Sequence, residues 1–106
     1  MTDQTSPVAS LTLRVVRERY TNLRTWHLLR ELQRRGVVDP RSTTAYVRNV
    51  EGGWKKPSAV VFDAWLDILG LLPGEVRLPE SWGDLNSEVT ELRAARLARE
   101  DLAAAG

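Results

Sequence analysis

A chain of 106 residues, 42% hydrophobic and 27% charged, suits one globular domain and leaves no room for two separate cores. The absence of cysteine excludes disulfides, thiolate–zinc sites and cysteine nucleophiles. No apolar run approaches membrane-spanning length, and MTDQTSPVAS has neither the basic nor the apolar region of a signal peptide, so a cytoplasmic protein without a membrane partner is expected.

The net charge of +1 conceals a gradient. Residues 11–56 carry eleven Arg/Lys against four Asp/Glu, which gives +7, whereas residues 57–106 carry four Arg against nine Asp/Glu, which gives −5. A basic half joined to an acidic half points the first at a polyanion and leaves the second for another task.

The pattern predicts an all-α fold: a small bundle of four to five helices with an additional C-terminal helix. Residues 1–10 are expected to form a flexible N-terminus. Leu13, Val16, Tyr20 and Leu23 fall at helical spacing, which places a first helix over about 11–20 with Ser10 as its cap. Val8, Leu11, Leu13 and Val15 also partly alternate, a pattern that a short strand shares. Asn22 or Thr25 caps a second helix running to Arg35 and stopped by Gly36, with Trp26, Leu29 and Leu32 on one face. Asp39-Pro40 reads as a capping carboxylate before a first-turn proline, which starts a third helix at about residue 40. Gly52-Gly53 end that helix at about Glu51.

Pro57-Ser58 opens a fourth helix to Gly70, with Val61, Ala64, Trp65, Ile68 and Leu72 on one face and Phe62, Leu66 and Leu69 widening it. So broad an apolar surface belongs at the centre of the core or against a partner as well. Asp63 and Asp67, one turn apart, read as its solvated side. Residues 73–86, with two prolines and two glycines, form a turn-rich connector with room for one short helical turn. A last helix over 87–106 starts at Ser87, is rich in alanine and carries a thin apolar stripe of Leu85, Val89, Leu92 and Leu102.

Catalytic chemistry is poorly supplied. The single histidine, His27, sits beside Trp26, no glycine-rich phosphate loop follows a strand, and no cluster has metal-ligand spacing. No enzyme activity, cofactor or metal is expected. The third helix is more informative. At 100° per residue, Thr43, Val47 and Val50 share a core-facing side, and the opposite side presents Arg41, Ser42, Ala45, Arg48 and Asn49, with Thr44 and Tyr46 at the edges. Arginine can donate to guanine O6 and N7, asparagine can bridge adenine N6 and N7, and alanine or threonine methyls meet the thymine methyl. An ordinary amphipathic helix with its polar side in water has the same pattern.

Val47, Val50, Glu51, Gly52-Gly53, Lys55-Lys56 and Pro57-Ser58, followed by AWLDILGL, resemble the Cro/C1-type (phage-repressor-like) helix-turn-helix family. The resemblance covers roughly residues 11–72 and is specific over 43–70. It implies a helix-turn-helix DNA-binding domain over 11–72 and a bacterial or phage transcription regulator. Bases would be read by Thr43, Thr44, Ala45, Arg48 and Asn49, joined by Arg41. Phosphates would be met by Lys55 and Lys56 in the loop and by Thr25 and His27 at the start of the second helix. Arg34, Arg35 and Ser42 flank the reading helix and are expected to add phosphate contacts. The span from Gln33 to Ser42 departs from the family, being about five residues longer than its tight turn.

The expected partner is double-stranded DNA bound by a homodimer, with promoter occupancy as the simplest mechanism of repression. The dimer surface would be the second apolar stripe of the fourth helix with Trp82, or the C-terminal helix. The alternative is a protein–protein adaptor or antitoxin-like inhibitor, which uses the acidic C-terminal half to hold a protein partner.

Overall fold

Helices of eight to eleven residues do not persist alone in water, so each must be closed by caps and then held by burial of one side. The computed structural model describes residues 11–105 and contains α1 (Leu13–Tyr20), α2 (Thr25–Arg34), α3 (Thr44–Glu51), α4 (Ala59–Leu69), a 3₁₀ turn (Glu80–Trp82) and α5 (Leu85–Ala105). Among the described residues there is no strand, and no helix is long and apolar enough to cross a membrane. The all-α expectation therefore holds.

Thr12 caps α1, its Oγ1 accepting from the Val15 N–H at 3.4 Å. The expected cap Ser10, Val8 and the rest of the segment 1–10 lie outside the described residues. Leu13 and Val16 turn into the core, while Tyr20 is exposed. At the start of α2 neither Asn22 nor Thr25 is the cap. Thr25 is already helical, and the Arg24 N–H donates to His27 Nδ1 at 3.1 Å. The buried side of α2 is Leu28, Leu29 and Leu32. Trp26 points outward instead, stacked on His27 with ring centroids 3.7 Å apart.

The third helix begins later than Asp39-Pro40 suggests. Asp39 Oδ1 accepts from the Arg41 N–H at 2.7 Å, and the Asp39 carbonyl accepts from the Ser42 N–H at 2.9 Å, so residues 39–42 close a turn of their own. Gln33 Nε2 lies 3.2 Å from each of the Asp39, Pro40 and Ser42 carbonyls. With those acceptors engaged, helical bonding waits for Thr43, whose Oγ1 accepts from the Ala45 N–H at 3.3 Å. An aspartate hydrogen-bonding its own backbone two residues on competes with its use as a helix cap, and here the turn wins.

At the other end the Gly53 N–H bonds to the Val50 carbonyl at 3.0 Å and the Trp54 N–H to the Asn49 carbonyl at 2.9 Å. This closure places Gly53 at φ +82, where a side chain is strained, and lays the Trp54 ring over Gly52, where a Cβ would meet Trp54 Cδ1 at 2.9 Å. Gly53 is required by its backbone, whereas a side chain at Gly52 needs only the exposed Trp54 ring to shift.

Ser58 caps α4 as expected, accepting from the Val61 N–H at 3.2 Å. This helix packs against α2 and α5 and buries Val61, Phe62, Ala64, Trp65, Leu66 and Leu69. Leu72 falls beyond its end and is exposed. Trp82, delivered by the 3₁₀ turn, is only 1% exposed and meets Phe62 edge-on with centroids 6.2 Å apart. It is a core residue and no part of a dimer surface. The connector crosses the start of α1, where the Arg77 N–H bonds to the Leu11 carbonyl at 2.9 Å.

The last helix starts at Leu85, two residues before Ser87, and buries Leu85 and Val89. Asp63 is buried rather than solvated, because it receives α5. Its Oδ1 accepts from Arg93 Nε at 2.5 Å and its Oδ2 from Arg96 Nη2 at 2.6 Å. Beyond Arg93 every residue from Ala94 to Ala104 is exposed.

Trp82→Ala is expected to destabilise the fold by about 3–5 kcal/mol in urea unfolding, and Trp54→Ala by less than about 0.5 kcal/mol. Equal effects would contradict the burial assigned to Trp82. Acid supplies a second check. Burial pushes the Asp63 carboxyl up, but hydrogen bonds from Arg96 and Arg93, with their charges, outweigh it and hold the group below its ordinary value. With the folded value the lower one, this stabilisation is present above the unfolded value near pH ~4 and is lost as pH falls through the folded value. The variant Asp63→Asn should lack that portion of the acid sensitivity, read from urea midpoints between about pH 6 and pH 2.

Candidate nucleic-acid interface

Val47 and Val50 hold α3 to the core, and Tyr46 joins them, half-buried near Trp65 with ring centroids 6.4 Å apart. Burial raises the Tyr46 hydroxyl above its ordinary pKa. Thr43 is not on this inner side. It is the exposed N-cap, so Tyr46 takes the core position that the spacing had given to Thr43. The opposite surface presents Ala45, Arg48 and Asn49, all exposed, with Thr44 half-buried at its edge. The Thr44 hydroxyl accepts from Arg48 Nη1 at 3.2 Å, one turn away.

Arg41 and Ser42 are not on the helix; they lie in the link that precedes it. The Arg41 side chain is 94% exposed, its Nε 3.8 Å from Asp39 Oδ1. Gln33, which the sequence reading passed over, secures this link. Its amide draws the turn carbonyls onto α2, so Arg41 projects from a held turn.

Rotation of α3 is fixed by a contact with no local signature. Arg17 Nε bonds to Glu51 Oε2 at 2.6 Å and Arg17 Nη2 to Glu51 Oε1 at 3.1 Å, while Arg17 Nη1 reaches the Leu23 carbonyl at 3.1 Å. The two side chains are 8% and 3% exposed. The hydrogen bond to Glu51 raises the Arg17 pKa, against the opposing effect of burial. A carboxylate at a helix C-terminus faces the negative end of the peptide dipoles, and the guanidinium offsets both charges.

The residues expected to meet phosphate divide into two groups. Thr25 lies with Arg14, Arg17, Glu18, Arg48 and Glu51 around a cleft of about 240 Å³ between α1, α2 and α3. Lys55 and Lys56 are exposed in the loop after α3, with Lys56 Nζ 3.9 Å from Glu88 Oε2. Trp54, whose large apolar ring leads to the expectation of a core residue, is instead 86% exposed and stands beside them. His27 uses Nδ1 as an acceptor within its own helix turn. Arg34 pairs with Glu31 at 3.3 Å and stays exposed. Arg35 is drawn away, bonding to Asp67 on α4 at 2.5 Å beside the Asp63–Arg93–Arg96 cluster.

Among the described residues no group of three or more His, Asp or Glu side chains is placed to hold a metal ion. Comparison with protein-family models, curated proteins and solved structures finds no match.

Breaking one side of the Arg17–Glu51 pair leaves a buried charge alone, so Arg17→Ala or Glu51→Ala is expected to cost about 3–5 kcal/mol of unfolding free energy. Replacing both partners with apolar side chains, Arg17→Met with Glu51→Leu, should recover most of that loss. A double variant as unstable as either single one would mean that the contact is not a mutual pair.

Proposed function

We propose that this chain is a sequence-specific regulator that binds double-stranded DNA and lays the exposed side of α3 into the major groove. The observation that carries this reading is the joint exposure of Arg41, Ala45, Arg48 and Asn49 beside a helix whose other side is locked to the core. Small side chains at Thr43 and Ala45 let the backbone come close, and Asn49 has the donor–acceptor pair that matches adenine in the major groove. The resemblance of residues 43–70 to Cro/C1-type regulators supports the same assignment.

Affinity would come chiefly from phosphates. Four to six contacts drawn from the basic half, among them Lys55, Lys56 and Arg34, give a salt slope of roughly −4 to −5. One domain of this size reads few base pairs, so a two-fold dimer on half-sites one helical turn apart is the fitting arrangement. Occupancy of a promoter is then sufficient for repression.

A second reading has one observation in its favour. The exposed outer half of α5, with Leu97 and Leu102 uncovered, is a surface available to a protein partner, as an antitoxin-like adaptor requires. Retention on mixed genomic fragments at low salt separates the two: failure to bind them favours the adaptor.

Asn49→Ala is expected to reduce discrimination between a site selected from a random pool and random duplex by about 1–3 kcal/mol, with weak salt-sensitive binding kept. Unchanged discrimination would remove Asn49, and with it the central part of α3, from base reading.

A further inference from the structure

The exposed surface of α3 has two edges, and they face different surroundings. Successive residues turn by 100°, so Thr44, Arg48 and Glu51 run down one edge while Ala45 and Asn49 run beside it. Glu51 is bound by Arg17, which turns this edge toward α1. Arg14, one turn before Arg17, stands across the opening, and Arg48 forms the other wall. We infer that the cleft between α1 and α3 is a seat for one phosphodiester of the DNA backbone, held between Arg14 and Arg48, and that Arg48 therefore anchors the backbone instead of reading a base. This inference rests on the DNA-binding reading above and deepens it.

The charges around the cleft favour a monoanion. Arg17 is neutralised by Glu51 at 2.6 Å, and Arg14 by Glu18 at 3.1 Å. Among the described residues Arg48 meets the Thr44 hydroxyl and no carboxylate, which leaves one positive charge uncompensated there. Arg14 and Glu18 are both substantially exposed, 66% and 47%, so Arg14 can leave a weak surface pair for a phosphate. The cleft, about 240 Å³, is open to solvent and several times the ~30 Å³ share of one water molecule. Arginine is suited to this task because its planar fork meets two phosphate oxygens together.

The experiment uses the full chain, a duplex carrying its selected site and a random duplex, each titrated over a salt series. Arg14→Ala and Arg48→Ala are each expected to weaken binding to both duplexes by a similar factor and to make the salt slope shallower by about 1. The ratio of selected to random affinity should stay within about twofold, against the large loss expected for Asn49→Ala. Arg14→Lys should keep the slope, which separates loss of charge from loss of fold, and Glu18→Gln should tighten both complexes. Arg48→Ala that keeps the slope but loses discrimination would overturn the assignment of Arg48. Arg14→Ala that leaves affinity and slope unchanged would overturn the seat while wild-type binding left the DNA reading standing. A wild-type chain that binds no duplex at low salt would overturn both.

Discussion

Arg17 and Glu51 join the first helix to the end of the third across 34 positions of sequence, and the orientation of every exposed side chain on α3 depends on them. An eight-residue helix has too little surface of its own to fix its rotation. Val47 and Val50 set which side faces inward, but two apolar contacts tolerate a turn of some tens of degrees. The bidentate ion pair does not, because a small rotation would break its two parallel hydrogen bonds. Burial of two charges is seldom a large net gain in stability. What it supplies here is a single register, with Ala45 and Asn49 on one edge and Arg48 on the other.

The parts of the fold legible in sequence are those governed by neighbouring residues. The Gly52-Gly53 stop, the Ser58 cap and the apolar breadth of α4 each follow from chemistry within one or two turns, and each is found where expected. The start of α3 was misread because Asp39-Pro40 and Thr43 both satisfy local capping rules. The choice between them is made by Gln33, which holds the intervening carbonyls from another helix. Trp82 suits either the core or a dimer surface by its size, and the 3₁₀ turn decides for the core by carrying it into contact with Phe62. Asp63 was given to solvent because helical spacing records a carboxylate among apolar residues and says nothing of Arg93 and Arg96, thirty and thirty-three positions on. Arg17–Glu51 had no local signal at all. Most of the candidate surface was therefore visible as residue types, and the contacts that orient it were not.

The opposed charges of the two halves acquire a partly structural meaning. Asp63 and Asp67 of the acidic half are engaged by Arg93, Arg96 and Arg35, and the first of these contacts docks α5 onto α4. Arg35 is thereby taken out of the basic surface and bound to α4. Exposed cations on α3 or close to it in the fold include Arg14, Arg41, Arg48, Lys55 and Lys56. Their charges add to the positive potential where the proposed polyanion would lie.

The nine-residue link between α2 and α3 would defeat such a surface if it were loose, since Arg41 would then sample many positions relative to Asn49. Three features restrict it. Gly36 is followed by a Val37 N–H bonded back to the Leu32 carbonyl at 3.2 Å, Val38 is buried, and the Gln33 amide reaches the carbonyls of Asp39, Pro40 and Ser42. A long link tied at its start, middle and end behaves as a rigid extension of α2. The turn at 39–42 is thereby held to α2, and Arg41 is exposed just before the first turn of α3. The longer link thus adds an exposed arginine next to a two-turn helix without lengthening the helix itself.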